Sequence, residues 1–224
     1  KNIREGRFVS RPNRFIARVE IDGQEEICHV KNTGRCRELL VPGASVFLEK
    51  SDKKERKTAY DLIAVRKGDR LINMDSQIPN RVVEEWLRNG GLFGEGAYIR
   101  PETKYGTSRF DLYIEQGERK IFMEVKGVTL EEEGIVRFPD APTERGIKHI
   151  KELCQCIKDG YEAYIMFVIQ MKDVRYFEPN KKTQEAFARA LLEAEQAGVH
   201  ILAYDCFVEP DSIFLGEPVE VQLI

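Results

Sequence analysis

The chain has 224 residues, 42% hydrophobic and 33% charged, with 17 Gly and 9 Pro, which supplies one large core or two small ones and excludes collagen-like, disordered and low-complexity chains. The longest apolar run, Tyr164 to Ile169, is about a third of the ~20 residues that a membrane span needs. Net charge is −3, divided unevenly: residues 1–80 carry 17 Lys+Arg against 12 Asp+Glu, net +5, and the remainder 18 against 26, net −8.

A basic module ahead of an acidic one points to a polyanionic partner for the first. The opening Lys-Asn-Ile-Arg-Glu-Gly-Arg has no apolar stretch of a signal peptide, so a cytoplasmic protein without membrane association is the expectation. Cys28, Cys36, Cys154, Cys156 and Cys206 are odd in number and scattered, which fits reduced, packed thiols rather than a disulfide framework.

The first part reads as short strands. In Phe15 to Ile21, alternation puts Phe15, Ala17, Val19 and Ile21 on one face and Arg18 and Glu20 on the other. Asp22-Gly23, ahead of a strand from Glu26 to Val30, signals a type I′ hairpin. Asn32-Thr-Gly34 and Pro42-Gly43 mark turns, and further strands fall at Ser45–Glu49, Asp61–Val65 and Arg70–Asn73. Five short strands in about 75 residues predict a closed barrel, of which the oligonucleotide-binding (OB) type is the most suggestive and the SH3-like barrel the competitor. Basic residues gather at Arg11, Arg14 and Arg18 and again at Lys31, Arg35 and Arg37. Solubilising charge is the bland reading; a surface that tracks phosphates is the functional one, since it needs Lys or Arg without fixed spacing.

A domain boundary is placed between residues 77 and 78. After Pro79, Val82, Val83, Trp86 and Leu87 fall at helical spacing in Asn80–Asn89, and Gly90-Gly91 stops the helix. Strands follow at Ala97–Thr103, Ser108–Glu115 and Lys120–Val128, then a loop from Phe138 to Pro142. Thr143 caps a helix with Ile147, Ile150, Leu153, Cys154 and Ile157 on one face. Glu162–Ile169 is a buried strand, and a helix over 182–196 with a strand Val199–Tyr204 completes the domain. The whole is a two-domain α+β chain: a five-stranded barrel over 1–77, then an α/β domain over 78–224 with a mixed sheet and the core order αβββαβ.

The chemistry sits on the second and third strands of that core. Alternation in Ile121 to Gly127 puts Phe122, Glu124 and Lys126 on one face, and two charges flanking one Val break the pattern that packing favours. A two-residue turn at Gly117-Glu118, of type II′, pairs Gln116 with Arg119 and so sets Asp111 opposite Glu124. Facing carboxylates repel, and Mg2+ or Mn2+ is the natural compensating group. Lys126 is then placed to orient or deprotonate an attacking water, or to stabilise phosphate charge. An internal Asp–Lys–Glu ion network is the purely structural alternative.

Asp111 followed by Glu124-Val-Lys126 resembles the motif of the PD-(D/E)XK nuclease superfamily, whose core order is also αβββαβ; Phe110 stands where that pattern has Pro, a position without chemistry. Nearly the whole chain resembles the sugar fermentation stimulation protein A family. The residues are Arg14-Phe15, Asn32-Thr-Gly34, Pro42-Gly43, Lys104-Tyr-Gly106, Ser108-Arg-x-Asp111, Glu124-Val-Lys126-x-Val-Thr129 and the long Phe138-Pro-Asp-Ala-x-Thr-Glu-Arg-Gly-x-Lys-His149. The resemblance implies an OB barrel, a nuclease-like domain, DNA binding without strong sequence preference and a link to regulation of sugar metabolism. It further implies Asp111 and Glu124 as metal ligands helped by the Val125 carbonyl, and Lys126 as catalytic. Glu102 is the candidate third carboxylate, with Glu84 and Glu85 competing. Arg145 and His149, four apart on one helix face, are candidates for phosphate contact, and Arg109 for a DNA contact, while His29 and His200 read as structural.

Two functions stand: a metal-dependent DNA phosphodiesterase, and a DNA-binding regulatory protein that retains a nuclease scaffold. RNA is a further partner that a barrel accepts. A homodimer stays open, because some nucleases of this type that cut two strands dimerise.

Overall fold

Alternating segments separated by turn residues build the N-terminal part of the computed structural model, which describes residues 2–32, 34–52 and 55–223. Thr33, inside the Asn-Thr-Gly turn, lies outside the described residues. The strands are β1 (Ile3–Asn13), β2 (Ile16–Ile21), β3 (Gln24–Val30), β4 (Ser45–Lys50), β5 (Tyr60–Lys67) and β6 (Arg70–Asn73). β1 pairs antiparallel with β2 and β4, and a parallel pairing of β3 with β5 closes a five-stranded barrel. Ile21 pairs with Gln24 across Asp22 (φ 53°) and Gly23 (φ 79°), two positive φ values that make the expected type I′ turn.

The membership of the barrel differs from the sequence reading. β1 was absent from it, because Arg4, Glu5, Gly6, Arg7, Arg11 and Pro12 hide the alternation and Phe8 is the strand's one buried residue. β6 pairs with β5 beyond the closed ring. Gly6 lets β1 cross close to β2: a Cβ there would lie 2.6 Å from Val19 Cγ1 and 2.9 Å from the Glu20 carbonyl oxygen. Phe15 stands just ahead of β2 and is 55% exposed, so it does not share the buried face of Ala17, Val19 and Ile21.

The second part runs α1 (Ile78–Arg88), β7 (Tyr98–Tyr105), β8 (Ser108–Gln116), β9 (Arg119–Val128), β10 (Leu130–Glu132), β11 (Ile135–Phe138), α2 (Glu144–Lys158), β12 (Glu162–Ile169), β13 (Tyr176–Pro179), α3 (Glu185–Gln196), β14 (His200–Val208) and β15 (Ile213–Pro218). Its main sheet has the order β15-β14-β12-β9-β8-β7. β7 to β9 form an antiparallel meander, and β12 lies parallel to both β9 and β14. This is the expected αβββαβ core with a mixed sheet. Apolar residues of α1 (Val83, Leu87) pack with Met123 and Val125 on one face of the sheet. Residues of α2 and α3 (Ile150, Leu153, Phe187, Leu191) pack with Phe122 and Phe167 on the other. Thr143 caps α2 as its sequence predicts, its hydroxyl accepting from the Gly146 N–H at 3.0 Å.

A small sheet of β10, β11 and β13 was not legible, since its strands have three or four residues each. It meets the barrel: the Lys67 ammonium lies 2.7 Å and the Arg70 guanidinium 2.9 Å from the buried Glu131 carboxylate. Gln170 adds a second tie, donating to Asn73 Oδ1 at 2.9 Å and to the Asp75 carbonyl at 3.1 Å. Among the described residues no helix is long and apolar enough to cross a membrane.

Candidate active site and nucleic-acid interface

Gly117 (φ 60°) turns β8 into β9, and Gln116 pairs with Arg119 as a two-residue turn requires. The ladder runs on to Leu112 paired with Met123 and stops there; the same register, carried one pair further, sets Asp111 opposite Glu124. There Asp111 Oδ2 takes over the ladder's role and accepts from the Val125 N–H at 2.8 Å. Asp111 Oδ1 accepts from Asn80 Nδ2 at 2.7 Å. Burial, with the Glu124 charge adding, pushes the Asp111 carboxyl up to about 6, against relief from Lys126, the Val125 N–H and Asn80.

Glu124 is 2% exposed. Its Oε1 receives both the Lys126 ammonium and His149 Nδ1. Burial would raise this carboxyl, but His149 and Lys126 together hold it below the usual carboxylate range. Arg145 Nε donates to His149 Nε2 at 3.4 Å, which leaves the ring proton on Nδ1, facing Glu124. Phe110, fully buried, packs edge-on against the same imidazole with ring centroids 6.0 Å apart. Glu124 Oε2 is buried with no hydrogen-bond partner among the described residues.

That orphaned oxygen beside a second carboxylate is what a hard divalent cation takes as ligands, and the donor set fits one. No third His, Cys, Asp or Glu joins the pair among the described residues, so water and substrate oxygens would fill the remaining positions. Glu102, expected as the third carboxylate, goes elsewhere: its φ of 53° turns it off the ladder, its side chain is 61% exposed, and Arg109 lies 3.9 Å away. Arg109 is likewise exposed, its guanidinium beside Glu102. Glu84 is taken by Arg88 at 2.6 Å. His149 is buried against Glu124 and so is not the phosphate contact expected of it. Asn80 was missed, since one amide in the first turn of a helix carries no signal of its own.

A cavity of about 430 Å3 opens where the barrel meets the second domain, lined by Asn32, Ser76, Asn80, Lys126, Arg137 and Arg145 among others. A second cavity, also about 430 Å3, lies in the barrel and is lined by Arg11, Arg14, Arg35, Arg37, Cys36 and Leu40 among others. Gly34 lines both. Four of the six basic barrel residues are thus brought together. Arg11 is spent on the frame, donating to the carbonyls of Arg14, Asn32, Gly34 and Arg35 at 2.6–2.9 Å. Arg18 pairs with Glu25 at 3.4 Å on the outer face, and Lys31 lies 3.3 Å from both Asp61 and Asp75. His29 and His200 engage structurally, with Asp61 and with the Tyr164 ring.

The family model described as the sugar fermentation stimulation protein RE domain matches residues 77–212. The chain belongs to the sugar fermentation stimulation protein family. The model of the SfsA N-terminal OB domain matches residues 9–74, which decides the type of the barrel. A sugar fermentation stimulation protein homolog from Desulfitobacterium hafniense (strain DSM 10664 / DCB-2) is 65% identical over 223 residues, covering 100% of this chain and 97% of that protein. One from Clostridium beijerinckii is 60% identical, covering 99% and 98%. Among solved structures, that of Pyrococcus furiosus SfsA in complex with Ca2+ superposes with a TM-score of 0.90 at 32% identity, covering 99% of this chain and 96% of that one.

Proposed function

We propose that this protein binds DNA with little sequence preference and hydrolyses phosphodiester bonds at the Asp111–Glu124–Lys126 site with a divalent metal. The observation that carries the reading is the Asp111–Glu124 pair with Glu124 Oε2 buried and unpartnered beside it. The calcium in the P. furiosus relative supports a cation of the same hard class here.

Asp111 and Glu124 would hold the ion. Bound there, Mg2+ or Mn2+ supplies Lewis-acid stabilisation of the phosphate and a water of lowered pKa. The chain's residues do the rest. Asn80 and the Val125 N–H fix Asp111, and His149 fixes Glu124, so both carboxylates are oriented before substrate arrives. Lys126, lining the cavity, holds a proton at Nζ beside the attacked phosphate and offsets the charge that gathers on its oxygens. Arg145, on the same cavity wall, binds and orients the phosphate, while Arg137 beside it is held by Glu132 at 2.9 Å and Glu178 at 2.7 Å. Water attacks phosphorus in line as the phosphorus–oxygen bond to the leaving strand breaks; the water's oxygen stays on phosphorus, it gives up a proton to solvent, and the leaving oxygen takes a proton from solvent.

A second reading keeps DNA binding and drops turnover. It is favoured by one feature: the site gathers two carboxylates and no third among the described residues. The test is cleavage of labelled single-stranded, duplex and forked DNA with Mg2+ or Mn2+, for the wild type, Asp111→Ala and Lys126→Ala, with binding measured on the same samples. Metal-dependent cleavage that disappears in both variants while binding persists supports the nuclease. Salt-sensitive binding without a cut on any substrate supports the second reading, and absence of binding refutes both.

A further inference from the structure

The barrel cavity has a feature the catalytic reading does not use. Arg14, Arg35 and Arg37 are exposed, line it together, and make no ion pair with any described residue. No carboxylate is among its lining residues. Three unneutralised guanidinium groups around one concavity repel one another, which a bound anion relieves. The frame behind them is fixed. Arg11 ties four carbonyls of the wall, and Asn13 Oδ1 accepts the N–H groups of Phe15 and Ile16 at 2.9 and 3.1 Å, holding Arg14 and Phe15 at the tip of the β1–β2 turn. Phe15, beside Arg14, is an exposed aromatic ring.

The cavity abuts the catalytic one. Gly34 lines both, and the Arg35 N–H donates to Asp140 Oδ2 at 3.0 Å, joining the barrel loop to a residue that lines the catalytic cavity. A side chain at Gly34 would collide there, its Cβ 2.4 Å from Asp140 Oδ2.

We propose that Arg14, Arg35 and Arg37 hold the phosphates of a single DNA strand whose neighbouring nucleotides lie in the Lys126 cavity, with a base stacked on Phe15, so that the substrate is single-stranded. This rests on the DNA-binding reading above and adds the form of the substrate. The cavity is the size of a small-ligand pocket, room for about one nucleotide of a single strand and too small for a duplex. An aromatic platform beside guanidinium groups is the pairing that single strands use, whereas a duplex keeps its bases stacked inside and cannot offer one to Phe15 without unpairing.

The test is fluorescence anisotropy in EDTA, where no cleavage intervenes, with a labelled 20-nucleotide DNA strand, a blunt duplex of that length and the matching RNA strand, each across a salt series. The wild type is expected to bind the DNA strand at least tenfold more tightly than the duplex. Arg14→Ala, Arg35→Ala and Arg37→Ala should each weaken strand binding about tenfold and lower the slope of log affinity against log salt by about 0.7 per lost phosphate. Phe15→Ala should weaken it roughly fivefold to a hundredfold at an unchanged slope. Arg18→Ala, paired outside the cavity, should stay within about twofold. All five changes are on the surface, so unchanged melting temperatures verify folding. Equal affinity for strand and duplex, or arginine variants that bind as the wild type does, overturns the inference and leaves DNA binding standing. Tighter binding of RNA than of DNA overturns the choice of polymer. Binding of no probe overturns the DNA-binding reading and this inference with it.

Discussion

Asp111→Asn should make the metal-free protein more stable at neutral pH. The Asp111 carboxyl stands at about 6 against an ordinary 3.8, burial being the largest cause and Glu124 the next. At about 1.4 kcal/mol per pH unit, this is about 3 kcal/mol of destabilisation once the group is ionised in both folded and unfolded states. The sign follows from which state binds the proton more tightly. The folded state does, so stability falls as pH rises from about 4 to about 6 and is level above. Glu124, held below its ordinary 4.5, acts oppositely: its stabilising share is present above that value and is lost as pH falls, so it stays constant between about pH 5 and pH 7. Asparagine keeps the shape and accepts from the Val125 N–H, and the Asn80 amide can turn its oxygen toward the new NH2. Allowing for residual solvent, the variant should gain roughly 1–3 kcal/mol at pH 7, or about 3–9 °C in melting temperature for a chain of this size. The gain should vanish near pH 4, and millimolar Mg2+ or Mn2+ should raise the melting temperature of the wild type and not of the variant. Differential scanning fluorimetry from pH 4 to pH 8 decides it. A variant less stable than the wild type at pH 7, or a gain independent of pH, would mean that ionised Asp111 does not strain the fold.

His149→Ala should lower Mn2+ affinity about 10–100-fold in calorimetric titration, because Glu124 loses the partner that fixes its Oε1. Gly127→Ala puts a Cβ 2.5 Å from Gln170 Oε1 and 2.8 Å from Pro79 Cγ, so it should cost about 1–3 kcal/mol in urea unfolding. Glu131→Ala leaves Lys67 and Arg70 facing each other at the junction of the domains. Both are about a third exposed, so water screens them and the expected cost is about 2 kcal/mol in the same urea experiment, below that of a fully buried pair.

The β8–β9 hairpin was legible because a two-residue turn has one register: once Gly117-Glu118 is read as the turn, Gln116 must meet Arg119 and the faces follow. The α2 cap was legible for a like reason, Thr143 being a local signal for a local bond. What failed needed information from elsewhere in the chain. β1 holds its place by pairing with β2 and β4, not by its own apolar pattern, so its charges and Pro12 disguised it. The short strands β10, β11 and β13 exist as a sheet only because distant segments meet. Arg145 and His149 were correctly placed on one helix face, but the spacing of a helix does not say what the face meets, and His149 turned out to meet Glu124. Lys31 reads in sequence like Arg35, and only the fold shows that one is neutralised by buried carboxylates and the other makes no ion pair among the described residues.

The position of Lys31 also explains how the barrel is tied to the Asp111–Glu124 cavity, which Asn32 and Gly34 of the barrel help to line. Lys31 lies against Asp75, and Asp75 Oδ1 accepts the Gln77 N–H at 2.9 Å, which fixes the link between the domains just before α1 begins. From there the chain has little freedom. Pro79 packs against Gly127, and the next residue, Asn80, donates to Asp111. A barrel lysine is therefore linked to Asp111 through five residues of chain, Asp75 to Pro79. Arg35 and Arg37 lie on the other side of Asn32, where the loop carries Gly34 between the two cavities. One loop thus divides its basic residues by burial: Lys31 is held beside buried carboxylates, and Arg35 and Arg37 face an open cavity with no ion pair among the described residues.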